Sequence, residues 1–117
     1  MRTPTVTAFM DRYPVADGHA LVVPNNHYPS LGDLPGNVSA DLGQVATRLA
    51  AAVRAQWAPA VMLHLSDGKA ADQDVLHVHL HVIPRHPGDA IRIDLPGRKP
   101  SREELNRVAS GLTRHFA

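Results

Sequence analysis

Hydrophobic and polar positions alternate most strictly between Val75 and Arg85, where the chain reads VLHVHLHVIPR. Leu76, Val78, Leu80 and Val82 take every second position, and His77, His79 and His81 fill the gaps. Successive side chains of a β-strand leave on opposite faces, so the pattern predicts one aliphatic face for a core and one face carrying three imidazoles. Thr5–Asp11 (TVTAFMD) and His19–Pro24 (HALVVP) predict a hairpin across the turn residues Tyr13 to Gly18, stopped by a proline that cannot donate to a ladder. Ala60–Leu65 (AVMLHL) predicts a further strand, delivered by the polar loop Ser66–Asp74 into an antiparallel pairing with the histidine strand. Parity puts His64 and Ser66 on one face of that strand and Leu63 and Leu65 on the other; the register that would align either face with the imidazoles is open.

Between Ser39 and Trp57 the period becomes helical, with Leu42, Val45, Ala46, Leu49 and Val53 on one stripe, Ser39 or Asn37 as cap and Pro59 as stop. It follows a loop, Asn25–Gly36, rich in breakers. After a proline-rich stretch in which Ile91–Ile93 offers a strand fragment, Ser101 and Glu104 form a capping box ahead of Leu105, Val108, Ala109 and Leu112, which predicts a terminal helix. The expected fold is α+β: a small antiparallel sheet, one long helix packed on it and a C-terminal helix, in a single domain over residues 1–117.

Composition narrows the chemistry. A net charge of +1 without a basic cluster argues against nucleic acid as a partner. Zero cysteines exclude disulfides, a thiol nucleophile and thiolate-held metal. No apolar run suggests a membrane span or a signal peptide, so the expected compartment is the cytoplasm.

Three imidazoles in strict alternation exceed what packing needs, because charged together they repel. As metal ligands they fit poorly, since His77 and His81 on an extended strand lie about 13 Å apart. An ion would need two of them plus His19, His64 or a carboxylate such as Asp67. As a catalytic group they fit better: the central His79 attacks phosphorus while flanking imidazoles hold the non-bridging oxygens, with no metal or other cofactor required. Gln73, Ser66 and the amides of the 66–74 loop stand close in sequence to add donors.

HVHLHVIP resembles the signature of the histidine triad (HIT) superfamily, and DRYPVADGHALVVPNNH, SDGKAADQDV and PGRKPSREEL resemble its flanking segments, so the likeness runs through nearly the whole chain. The resemblance implies a nucleotide-binding hydrolase or transferase acting at an α-phosphorus through a nucleotidyl-histidine. His79 matches the nucleophile, and His77 matches the first triad histidine. His81, Gln73, Asp74 and Ser66 match the phosphate-binding positions, and Asp11 and His19 match those beside the nucleoside. The implied substrates are phosphoramidates or dinucleoside polyphosphates, generally of a purine nucleoside. A homodimer is implied too, with Trp57 and the strand Ala60–Leu65 as the surface to suspect.

The likeness has gaps. The chain starts where the family's second strand is expected, without the preceding cysteine pair and base-wall residues, which leaves His19 and His77 as half of a zinc site. Ser66 stands for the usual asparagine, and Asp72 and Asp74 for small or hydroxylated residues. Those two carboxylates repel an anionic ligand unless they point away or pair with Lys69 or Arg85. Two other readings are therefore carried forward, a nucleotide-binding or partner-docking protein without turnover and a His-ligated metalloprotein.

Overall fold

The computed structural model describes residues 1–116. Four strands form one antiparallel sheet: β1 (Val6–Met10), β2 (Ala20–Pro24), β3 (Ala60–His64) and β4 (Leu80–Arg85), in the order β1-β2-β4-β3. The helix α1 (Gly36–Gln56) lies on the sheet, and α2 (Arg102–Thr113) follows the last strand. Among the described residues no helix is long and apolar enough to cross a membrane.

Inward residues of the sheet meet the stripe of α1. Val6, Ala8, Val22 and Val82 pack against Val38, Leu42, Val45 and Ala46. Each aliphatic side chain fully buried here contributes roughly 1.5–3 kcal/mol. Val38 extends the stripe one turn backward from Leu42, which is why α1 starts at Gly36 and not at Ser39. Pro35 occupies the N-cap without a side-chain cap, and the Ser39 hydroxyl turns to the Gly36 carbonyl. Neither expected cap, Asn37 or Ser39, is used.

The hairpin turn closes at Gly18, whose φ of +91° suits glycine, and a Cβ added there would sit 3.1 Å from Pro84 Cγ. Ahead of β1 the chain folds back on it: Arg2 bridges Thr7, and Met1 and Ala8 exchange bonds.

The largest departure concerns the histidine strand. It begins at Leu80 instead of Val75, so only His81 of the three histidines is in the sheet. The β2 register pairs Val22 with Leu80 and Ala20 with Val82, so the next pairs would bring Val78 opposite Pro24. Pro24 has no N–H to give, and Val78 donates instead to the Tyr28 carbonyl at 2.8 Å. The three imidazoles therefore do not form one evenly spaced row.

Residues 91–93 form no strand. The Ser101 hydroxyl caps α2 by accepting from the Glu104 amide at 3.1 Å, one of the two bonds of the box. Val108 and Leu112 of the α2 stripe are exposed, and among the described helices and strands α2 contacts only the turn Arg114–Phe116 that follows it. Its standing clear of the sheet accounts for a radius of gyration of 16.5 Å, against about 13 Å for a compact chain of this length.

Candidate active site

The segment entering β4 fixes each histidine differently. His77 accepts the Tyr28 N–H at Nδ1 (3.3 Å), so its Nε2 carries the proton and donates to the Pro24 carbonyl at 3.0 Å. Both nitrogens are occupied, and the ring stacks on His27 at 5.3 Å. The contribution of His77 to the next histidine is its carbonyl. His79 Nδ1 donates to it at 2.7 Å, so in the neutral ring the lone pair lies on Nε2. That side chain is 13% exposed, enough for a ligand to reach.

His81 sits in the sheet opposite Leu21 of β2 and His64 of β3. A directed chain reaches it from the hairpin turn. The Val15 amide donates to His19 Nδ1 at 3.1 Å, so His19 carries its proton on Nε2, 2.9 Å from His81 Nδ1. His81 then accepts at Nδ1 and presents Nε2–H as a donor. Its ring lies edge-on to His79, with centroids 5.2 Å apart. The hydrogen bonds thus assign a lone pair to Nε2 of a neutral His79 and a proton to Nε2 of His81.

Asp11, at the end of β1, places Oδ2 3.5 Å from His19 Nε2 and 4.0 Å from His81 Nδ1, while Oδ1 accepts the Tyr13 amide. Burial lowers the His19 pKa, with Asp11 opposing. Burial lowers that of His81 as well, reinforced by the His19, His79 and His64 rings and opposed by Asp11. Both rings are held neutral near pH 7.

The upstream loop is braced by Gln73. Its Oε1 accepts the Gly68 amide at 2.7 Å, and its Nε2 donates to the Pro29 and Val75 carbonyls at 3.0 and 3.1 Å. The sequence suggested a phosphate ligand at this position; here the side-chain amide is committed to loop closure, and a phosphate contact would replace one of these bonds. Ser66 Oγ lies 3.3 Å from His64 Nε2. Asp74 neither points away nor finds Arg85: its Oδ1 is 3.7 Å from His79 Nε2, while Arg85 is held bidentately by Asp89 at 2.8 Å. Asp67 accepts the Leu31 amide.

The structure settles one question that the sequence left open and adds one feature that the sequence did not signal. His64 joins the imidazole face, its ring 5.8 Å from that of His81. Parity had grouped it with Ser66, and only the β3–β4 register decided which face that was. The Val15 amide, which fixes the His19 tautomer, is a backbone group with no sequence signal.

Asp11, His19 and His81 bring three ligand atoms within 4.8 Å of one another, the one candidate metal cluster among the described residues. The donors do not fit an ion. Binding through His19 Nε2 would move the His19 proton to Nδ1, where it would oppose the Val15 N–H. Nor do His19 and His77 form a half site: His77 lies against His27 with both nitrogens engaged, and His19 against His81.

The HIT domain model matches residues 1–88. An uncharacterized HIT-like protein of Mycobacterium tuberculosis is 39% identical over 86% of this chain and 73% of its own length. The adenosine 5'-monophosphoramidase of Saccharomyces cerevisiae is 33% identical over 90% of this chain and 65% of its own. Relatives named an adenylylsulfatase in Arabidopsis thaliana and a bis(5'-nucleosyl)-tetraphosphatase in Schizosaccharomyces pombe are 32% and 33% identical. They match 92% and 96% of this chain, which spans 56% and 62% of their lengths. The crystal structure of a HIT family protein from Bacillus anthracis superposes with a TM-score of 0.91 at 28% identity, over 98% of this chain and 84% of that one. A zinc-bound histidine triad protein from Mycobacterium smegmatis gives 0.73 at 34% identity, over 99% and 83%. Fold, triad and family model agree: this chain belongs to the HIT family, whose named relatives include nucleotide hydrolases.

Proposed function

We propose that this protein is a nucleotidyl hydrolase or transferase in which His79 Nε2 attacks the α-phosphorus of a nucleotide. One observation carries the reading: the Nδ1–H of His79 is tied to the His77 carbonyl, which in the neutral ring leaves the Nε2 lone pair free to attack, with the His81 ring edge-on at 5.2 Å. The Nε2–P bond forms as the bond to the leaving group breaks, and the electron pair departs with that group. The His81 donor meets charge growing on a non-bridging oxygen. Water then attacks the phosphorus, the P–N bond breaks, and His79 regains its lone pair.

His79 and His81 do the chemistry, and His77 orients the nucleophile through its carbonyl. Asp11 offers its remaining lone pairs to the ribose, backed by His19. Ser66, Asp74 and the loop braced by Gln73 border the phosphates. The partner is a purine nucleotide or other nucleotidyl compound, met in the cytoplasm. The test is a panel of adenosine 5'-phosphoramidate, diadenosine tetraphosphate and adenylyl sulfate. AMP release from at least one is expected. Thermal stabilisation by nucleotide without product from any would assign the protein to the binding-only class.

A homodimer belongs to the same proposal. The edge strand β3 leaves one side of the sheet open, Leu63 is 52% exposed and Trp57 57%. Trp57 also borders an apolar hollow of about 320 Å³ with Met10, Leu49 and Val53. Sedimentation is expected to give twice the 12.7 kDa of one chain, and a single-chain mass at micromolar concentration would refute the dimer.

A further inference from the structure

We infer that His64 and Ser66 supply the proton that the leaving group takes, His64 holding it and Ser66 passing it on. The inference rests on the nucleophilic reading of His79 and deepens it by adding the acid that the reaction needs.

The sheet register places the pair. His64 on β3 is the Cα partner of His81 on β4, and the two rings stand 5.8 Å apart on one face. Ser66 follows His64 by two residues and shares its face. The same antiparallel register, carried two residues past its last pair, sets Ser66 across from His79. A phosphoryl group that meets His79 Nε2 and the His81 N–H thus has two imidazoles on its β4 side and this pair on its β3 side. The departing atom leaves in line, away from His79, and that direction runs toward β3. The opposite flank is taken: Asp11 and His19, which border the nucleoside in this reading, stand at the ends of β1 and β2.

The two side chains are already in contact. Ser66 Oγ and His64 Nε2 lie 3.3 Å apart, with His64 exposed and Ser66 half-buried. A serine hydroxyl accepts and donates at once, so Ser66 can take the Nε2 proton of His64 while giving its own to the departing atom. His81 does not serve as this acid. Burial, then the His19, His79 and His64 rings, lower its pKa, so it stays neutral and keeps its proton as a donor to the phosphoryl oxygen.

The step balances. His64 starts as the imidazolium. The His79 lone pair forms the new P–N bond, and the bond to the leaving atom breaks with its electron pair on that atom. The leaving atom takes the Ser66 proton, Ser66 takes the Nε2 proton of His64, and His64 ends neutral. In the second half, water attacks phosphorus and passes one proton through Ser66 to His64. The P–N bond breaks, and its electron pair returns to His79.

The test uses the full chain with His64→Gln, Ser66→Ala and Ser66→Thr. Two substrates are compared: adenosine 5'-phosphoramidate, whose amine leaves only when protonated, and the p-nitrophenyl ester of AMP, whose nitrophenolate leaves without a proton. His64→Gln and Ser66→Ala are expected to lower kcat/KM about a hundredfold on the phosphoramidate and less than about threefold on the ester. On the ester both variants should release a burst of nitrophenolate and then slow, because the second half lacks its base. Ser66→Thr keeps the hydroxyl and should stay within about threefold of wild type on both substrates. Equal losses on the two substrates mark a defect of binding or folding and overturn the inference, as does a ratio unchanged within twofold. If wild type turns over both substrates and the ratio holds, the inference fails alone and the hydrolase reading stands. If wild type releases AMP from neither, the hydrolase reading fails and the inference with it.

Discussion

Replacing His79 with alanine is expected to lower turnover of a nucleotidyl substrate by about four orders of magnitude or more, while nucleotide affinity stays within about threefold. The asymmetry follows from the geometry. His79 contributes one lone pair, and nothing nearby replaces it. His77 has both nitrogens engaged by Tyr28 and Pro24, and His81 accepts from His19 at Nδ1 and presents a proton on Nε2. Added imidazole is expected to restore part of the rate in His79→Ala, because the space and the phosphate donors remain. Turnover within tenfold of wild type, measured by AMP release, would remove His79 as nucleophile.

The second large effect belongs to His19, a positioning residue at 3% exposure. His19→Ala leaves the Val15 amide without its acceptor and His81 Nδ1 without its donor. Stability is expected to fall by about 1–3 kcal/mol, and kcat by roughly 10- to 100-fold as His81 samples the wrong tautomer. A packing defect alone would not change the pH profile, and His19→Ala should. The pKa values of His19 and His81 are lowered in the folded state, chiefly by burial. Below the unfolded value of about 6.5, the unfolded chain binds protons that the folded chain refuses. The stability these neutral rings confer is therefore full above that pH and is lost as pH falls toward the lowered native values. Each refused proton contributes a slope of up to about 1.4 kcal/mol per pH unit. Denaturant melts between pH 7.5 and 5 should show that slope in wild type and a shallower one in His19→Ala. Parallel slopes would contradict the assignment.

Much of the fold was legible because hydrophobic period carries secondary structure directly. The hairpin, the helix against the sheet, the β3–β4 pairing and the cap at Ser101 all follow from local patterns. The errors came from what neighbours decide. Alternation extended the histidine strand back to Val75, and Pro24 on the next strand stopped it at Leu80. The terminal helix α2 forms where its stripe and cap predicted, and among the described helices and strands it contacts the following turn Arg114–Phe116. In the site, the sequence names candidate residues but not the bonds each of them makes. Gln73 braces its loop, the His77 carbonyl accepts from His79, and His19 bonds to His81 in place of a zinc half site. Each outcome turns on a backbone amide or carbonyl, which side-chain spacing does not encode.

The hydrolase reading requires that His79 become covalently nucleotidylated. Intact mass of the full chain, quenched into neutral denaturant milliseconds after mixing with adenosine 5'-phosphoramidate, tests it directly. A gain of one nucleotidyl group in wild type, mapped to His79 and absent in His79→Ala, is the predicted result. Consumption of substrate with no adduct in wild type at any quench time, or an adduct that survives in His79→Ala, would contradict it.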